Sequence, residues 1–204
     1  MSNPPALLCS DLHFQYQPRS GPVEAVNGIS LALEPGDVAA LSGPSGSGKT
    51  SLLRLAAGLA VPDAGRVAVA GRAMDPGDAD RRAEIRRELV GMVEQQANLL
   101  PLFSVAENLE LPLHLAGWAP ADRYARVQEL LGLLDLGHLQ SRLARELSGG
   151  EQQQISVCQA LASRPAVVLA DEPTASLDSV AGGMVMDLLA EVSRNQGAAV
   201  LLAT

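Results

Sequence analysis

The stretch GPSGSGKT, Gly43 to Thr50, decides how the rest of the chain is read. It holds Lys49, the only lysine among 204 residues; the other 14 of the 15 Lys and Arg residues are arginine. Gly43, Gly48, Lys49 and Thr50 satisfy the spacing G-x-x-x-x-G-K-[ST], which has meaning only between a strand and a helix. Upstream, DVAALSG (37–43) is a short apolar run ending in small residues, as a buried parallel strand does. Downstream, KTSLLRLAAGL (49–59) carries leucines at 52, 53, 55 and 59 and reads as a helix. A strand, a glycine-rich turn and a helix together make a phosphate cradle. Glycines let backbone N–H groups turn inward without a Cβ in the way. The helix presents unpaired donors and the positive end of its dipole. Lys49 supplies a compact, flexible charge for β- and γ-phosphates, where arginine's rigid fork is a poor replacement, and the Thr50 hydroxyl suits Mg²⁺. Pro44, Ser45, Gly46 and Ser47 complete the loop, and Ser51 follows in the first helical turn. A glycine-rich turn with a chance lysine is the bland alternative, which the strand–helix context disfavours. The lysine count also bears on the base. Guanine-reading P-loop proteins use an N-K-x-D element, and no second lysine exists to build one, so adenine is expected.

Bulk properties set the outer limits. The size is that of one large domain, or one domain with an insertion, and 47% hydrophobic residues suffice for a core. A formal charge of -8 argues against a nucleic-acid backbone as the main partner, though an acidic protein can hold a locally positive nucleotide pocket. Cys9 and Cys158 lie too far apart in sequence for a zinc or redox motif and read as reduced, structural thiols. The start, MSNPPALLCSD, lacks the basic region of a signal peptide. The longest charge-free runs, 95–106 and 152–163, are 12 residues, and a membrane span needs roughly 18 or more. The expected location is the cytoplasm, with any membrane role exercised through a partner.

Along the chain, RVAVAG (66–71) predicts a strand, DADRRAEIRREL from Asp78 a charged exposed helix, and VGMVE from Val90 another strand. Tyr124, Val127, Leu130, Leu131 and Leu134 then fall at helical spacing after APAD, and a further helix starts near Gly150. AVVLAD from Ala166, the segment from Ser179 to Asn195, and AAVLLA from Ala198 read as strand, helix and strand. Alternation at both ends around a helical middle predicts an α/β sheet interrupted by a helical insertion.

Two further motifs carry chemistry. AVVLADEPTASLD sets Asp171 and Glu172 directly after an apolar run. Alone, such a pair is more often a solvated loop. With the cradle upstream, Asp171 is placed to reach the Mg²⁺ touched by Thr50, and Glu172 to polarise a water at the γ-phosphate. In LSGGEQQQ, Ser148 and Glu151 form S-x-x-E, a capping box that opens a helix. Gly149 and Gly150 inside it cost about 1 kcal/mol each where they are helical. Close approach of a phosphate to bare backbone would account for them. That phosphate is not the one in the same molecule's cradle, so two copies are expected to sandwich one nucleotide.

With these residues in order, the chain resembles an ATP-binding cassette (ABC) ATPase over nearly all of its length. GPSGSGKT resembles the family's Walker A, LSGGEQQ its signature, VVLADEP its Walker B, and SLD with Asp178 its D-loop. VGMVEQQANLLP puts Gln95 at the Q-loop glutamine, which in the family touches Mg²⁺ and the membrane partner. HFQY puts Tyr16 where members stack an aromatic on adenine. The resemblance implies a P-loop NTPase (RecA-like) core, residues 1–94 and 160–204, with an N-terminal antiparallel β subdomain. A helical signature subdomain, 95–159, is inserted into it, all as one ATPase domain. It further implies ATP and Mg²⁺ as ligands, with Thr50, Gln95 and Asp171 at the metal and Glu172, Gln95 and Lys49 catalytic. The implied partners are a permease contacted near 95–112, at the inner face of the cell membrane, and a second copy in a head-to-tail dimer.

Within the family, NLLP (98–101) and VAENLELPLHLAG from Val105 resemble the lipoprotein-release and macrolide-export branch. There are departures. Glu94 stands where an aromatic is usual, and Gln154 and Gln159 replace arginines, which would weaken the positive field near the partner's γ-phosphate. AAVLLAT reaches Thr204 where the family continues to its switch histidine, so the C-terminal end of the usual fold is expected to be missing through truncation, with weak turnover restored on extension. Two other functions stay open: a non-transport ABC ATPase, and a regulatory nucleotide-binding module.

Overall fold

The computed structural model describes residues 3–18 and 21–204. Two sheets form its frame. The antiparallel one is built from β1 (Leu7–Tyr16), β2 (Val23–Leu33), β4 (Ala64–Val69) and β5 (Arg72–Ala73), in the order β2-β1-β4-β5. The parallel one is built from β3 (Val38–Leu41), β6 (Val90–Val93), β7 (Val167–Asp171) and β8 (Ala199–Ala203), in the order β3-β8-β7-β6. The helices are α1 (Lys49–Ala56), α2 (Ala79–Leu89), α3 (Val105–Leu115), α4 (Pro120–Leu133), α5 (Gly149–Ala160) and α6 (Ser179–Gln196).

Every residue of β7 and β8 is buried, which explains why both read as uninterrupted apolar runs. Their side chains alternate between two cores. Val167, Leu169, Ala199, Leu201 and Ala203 join a cluster with α1 and the antiparallel sheet. Val168, Ala170, Val200 and Leu202 join another with α3, α4, α5 and α6. Each leucine or valine sealed this way contributes about 1.5–3 kcal/mol. The central strand pair is therefore sealed on both faces, and β7 ends at Asp171.

The parallel register aligns Asp171 with Ala203, Leu41 with Ala203, and Val93 with Ala170. Three connections thus leave the same carboxyl edge: the glycine loop after β3, Gln95 after β6, and Glu172 after β7. Ligands of open α/β sheets bind at such an edge.

One detail differs from the sequence expectations: the helix read over 49–59 ends at Ala56, because Gly58 takes φ 66° and turns the chain out. The strand expected at 66–71 runs Ala64–Val69 and pairs antiparallel with β1, within the antiparallel subdomain that the resemblance implies.

Candidate functional site

Gly48 is the N-cap of α1, at φ 91°, with no side chain capping the helix. A Cβ there would lie 2.0 Å from the Ala25 carbonyl oxygen of β2, so only glycine fits. The first intrahelical bond of this end runs from Leu52 N to Gly48 O at 2.9 Å. The amides ahead of Leu52 have no intrahelical acceptor and remain available to a ligand. Lys49 Nζ donates to the carbonyls of Gly43 (2.6 Å) and Pro44 (3.3 Å), so the ammonium sits over the loop that precedes it.

The acidic pair meets this loop. Thr50 Oγ1 donates to Asp171 Oδ2 at 2.6 Å across 121 residues of sequence. Gln95 Nε2 donates to Glu172 Oε2 at 2.9 Å. Glu172 has φ 47°, a left-handed backbone costing about 1–3 kcal/mol for a side-chain-bearing residue. Its N–H is held by the Ala203 carbonyl at 2.9 Å. That bend separates the directions of two adjacent carboxylates, leaving Asp171 on Thr50 and Glu172 on Gln95. Tyr16, at the end of β1, shares a 3.2 Å hydrogen bond between its hydroxyl and Ser51 Oγ.

These groups surround a cleft of about 320 Å³ lined by Tyr16, Val23, Glu24, Ala25, residues 45–51, Gln95, Asp171 and Glu172. A hollow of about 240 Å³ shares Thr50, Gln95 and Asp171 and adds Arg54, Met92, Glu94 and Gln96. Gly43 and Pro44 face a larger hollow on the β2 side, together with Ser47, Gly48 and Lys49. Val23, Glu24 and Ala25 were not among the expected residues. Nothing local in their sequence marks them, since they reach the cleft only because β2 folds back along β1.

The structure does not bring Ser148, Gly149, Gly150, Glu151 or Asp178 into this cleft. Ser148 caps α5 with a reciprocal box: Glu151 N donates to Ser148 Oγ (3.2 Å), and Ser148 N donates to Glu151 Oε2 (2.7 Å). The Ser148 hydroxyl and then its N–H hold the Glu151 carboxyl below the ordinary glutamate range. Ser148 and Gly149 are exposed. Asp178 caps α6, accepting from Val180 N and Ala181 N. Gln154 is buried, and Gln159 Nε2 donates to the Asn108 carbonyl at 3.0 Å. Burial raises both thiols, Cys9 and Cys158, to about 12, in keeping with packing rather than chemistry.

A strand, a glycine loop capped by lysine, and a hydroxyl–carboxylate pair at one sheet edge define a P-loop nucleotide-binding protein. Comparison with known proteins narrows this class. Residues 26–175 match the family model described as ABC transporter. The chain is 43% identical over 200 residues to the lipoprotein-releasing system ATP-binding protein LolD 2 of Caulobacter vibrioides, covering 98% of this chain and 88% of that one. It is 40% identical over 204 residues to the macrolide export ATP-binding/permease protein MacB of Marinobacter nauticus, whose length it covers to 32%. Among solved structures, the ATP-binding cassette MJ0796, a dimer in a post-hydrolysis state with ADP and Pi, superposes with a TM-score of 0.91 at 32% identity, covering 97% of this chain and 87% of that one. The chain belongs to the ABC transporter family, as an ATPase of the branch that contains these lipoprotein-release and macrolide-export proteins.

Proposed function

We propose that this chain is the ATP-hydrolysing motor of a membrane machine that extracts lipoproteins or exports a substrate through a separate permease. The observation that carries the reading is the pair of contacts Thr50–Asp171 and Gln95–Glu172, which gather three distant segments around one cleft beside Lys49. The triphosphate of ATP lies along the loop from Gly43 to Thr50, its charge met by α1's free amides and the Lys49 ammonium. Ser51 is placed at the same helix end, and Tyr16 stands at the cleft rim to take the adenine ring.

A hydroxyl and a carboxylate oxygen 2.6 Å apart, with an amide side chain nearby, form a small, hard donor set that suits Mg²⁺. Thr50, Asp171 and Gln95 would hold the ion, which when bound neutralises charge on the phosphates. Glu172 orients the attacking water and accepts its proton, while Gln95, donating to Glu172 Oε2, sets the carboxylate's direction. Because Ser148, Gly149, Gly150 and Asp178 stand outside this cleft, a second copy closes head to tail. It presents its own exposed turn to the nucleotide. In this reading residues 1–94 and 160–204 form the nucleotide-binding core, and 95–159 form the inserted helical part, within a single ATPase domain 1–204.

The described helices include none long and apolar enough to cross a membrane. In this reading the permease is met along 95–112, where Leu102 is 68% exposed and Phe103 is exposed beside it. The location that follows is the inner face of the cell membrane. Replacing Glu172 by Gln removes the proton acceptor while keeping the side chain's shape. The expected result is retained Mg-ATP affinity with turnover reduced about 100-fold or more; wild-type turnover would sink the assignment.

A further inference from the structure

A side chain on α5 reaches the segment that delivers Gln95. Gln153, 1% exposed, donates from Nε2 to the Glu94 carbonyl at 3.2 Å. Glu94 is the first residue beyond β6, and Gln95 follows it directly. The same helix presses on β6 at its other end. A Cβ on Gly91 would lie 2.3 Å from the Ala160 carbonyl oxygen, so the two backbones approach as closely as glycine permits. β6 is thus clamped between a bare-backbone contact at Gly91 and a buried hydrogen bond at Glu94.

We infer that Gln153 is a positioning residue for hydrolysis: its amide fixes the turn after β6, so that Gln95 stands beside Glu172. The Glu94 carbonyl lies one peptide unit before Gln95, and a shift there moves the Gln95 side chain by a comparable distance. A misplacement of about 1 Å at reacting groups costs up to about 100-fold in rate. Glu94 and Asp171 both line the hollow beside Thr50. Gln153 lies in the second turn of α5, whose first turn carries Ser148 to Glu151. The helix end proposed to meet the partner's nucleotide is therefore linked rigidly to Gln95 by one amide.

This inference rests on the proposed roles of Glu172 and Gln95. It is tested with the full chain by steady-state ATPase kinetics on Gln153→Met, Gln153→Glu and Glu172→Gln. Gln153→Met keeps length and volume but loses the donor; the expected outcome is KM within about twofold of wild type and kcat lowered about 10- to 100-fold. Gln153→Glu cannot donate as a carboxylate but can when protonated, so its kcat relative to wild type should rise as pH falls towards the carboxyl range. Wild-type kcat in Gln153→Met overturns the inference. If Gln153→Met proves unstable, the acid response decides instead, and a relative kcat that is flat with pH overturns it. Wild-type turnover in Glu172→Gln defeats the underlying site reading, whereas an inactive Glu172→Gln beside a fully active Gln153→Met defeats this inference alone.

Discussion

Gly48 carries two constraints at once: a left-handed φ of 91° and a carbonyl oxygen where a Cβ would stand. A left-handed alanine costs about 1–2 kcal/mol from its dihedral alone. The overlap with Ala25 O adds to this, because a backbone atom cannot swing aside as a side-chain tip can. Gly48→Ala is expected to lower unfolding stability by at least that amount in urea and to weaken Mg-ATP binding tenfold or more by calorimetry. Wild-type values in both would show that the loop is not held against β2. The glycine itself was legible from spacing, and so were Lys49, Thr50 and the acidic pair. The atom that excludes every other residue was not, since Ala25 lies 23 positions away in a different sheet. Tyr16 is a similar case: its place near a strand end was readable, but its hydroxyl's bond to Ser51 depends on how β1 lies over α1.

At the scale of one element, α5 shows a cap whose local logic is complete in the sequence. Ser148 and Glu151 exchange hydrogen bonds as the S-x-x-E pattern predicts. Ser148→Ala removes that cap, and the expected loss at pH 7 is about 1 kcal/mol of stability. The pH dependence has a defined sign. Glu151's carboxyl is held below its ordinary value of 4.5, so its contribution is fully present above that value. It is lost as pH falls through the lowered folded value. Urea unfolding at pH 7 and near pH 3.5 should therefore show the wild-type–variant gap narrowing in acid. A gap that stays constant would place the cap's value elsewhere. The rest of α5 was illegible in advance. Gln152, Gln153 and Gln159 look alike in the string, yet they bond to the loop before α5, to Glu94 and to Asn108 respectively. Side-chain chemistry names the donor, and only packing names the acceptor.

Across the whole molecule, Gly149 separates the needs of the single chain from those of the assembled one. A Cβ at Gly149 meets nothing within 4 Å, so the chain alone tolerates alanine there. In the proposed dimer the same position faces the partner's nucleotide at close range. Glu172→Gln with Mg-ATP is expected to migrate as a dimer by light scattering after size exclusion. Adding Gly149→Ala should return it to monomer with an unchanged thermal transition. A dimer that persists would exclude this turn from the interface.

The sequence by itself determined the order and chemistry of the motifs: a phosphate cradle, a helix cap with two spare glycines, and two carboxylates after a buried strand. These are local, because a turn, a cap or an apolar run depends on residues within a few positions of one another. The tertiary structure alone decided which of them meet. Parallel pairing of β3, β8, β7 and β6 carries Thr50 to Asp171 and Gln95 to Glu172, and antiparallel pairing takes the strand at 64–69 away from that sheet to β1. Strand pairing is set by which faces can be buried together across the whole chain, and no short window of residues contains that information.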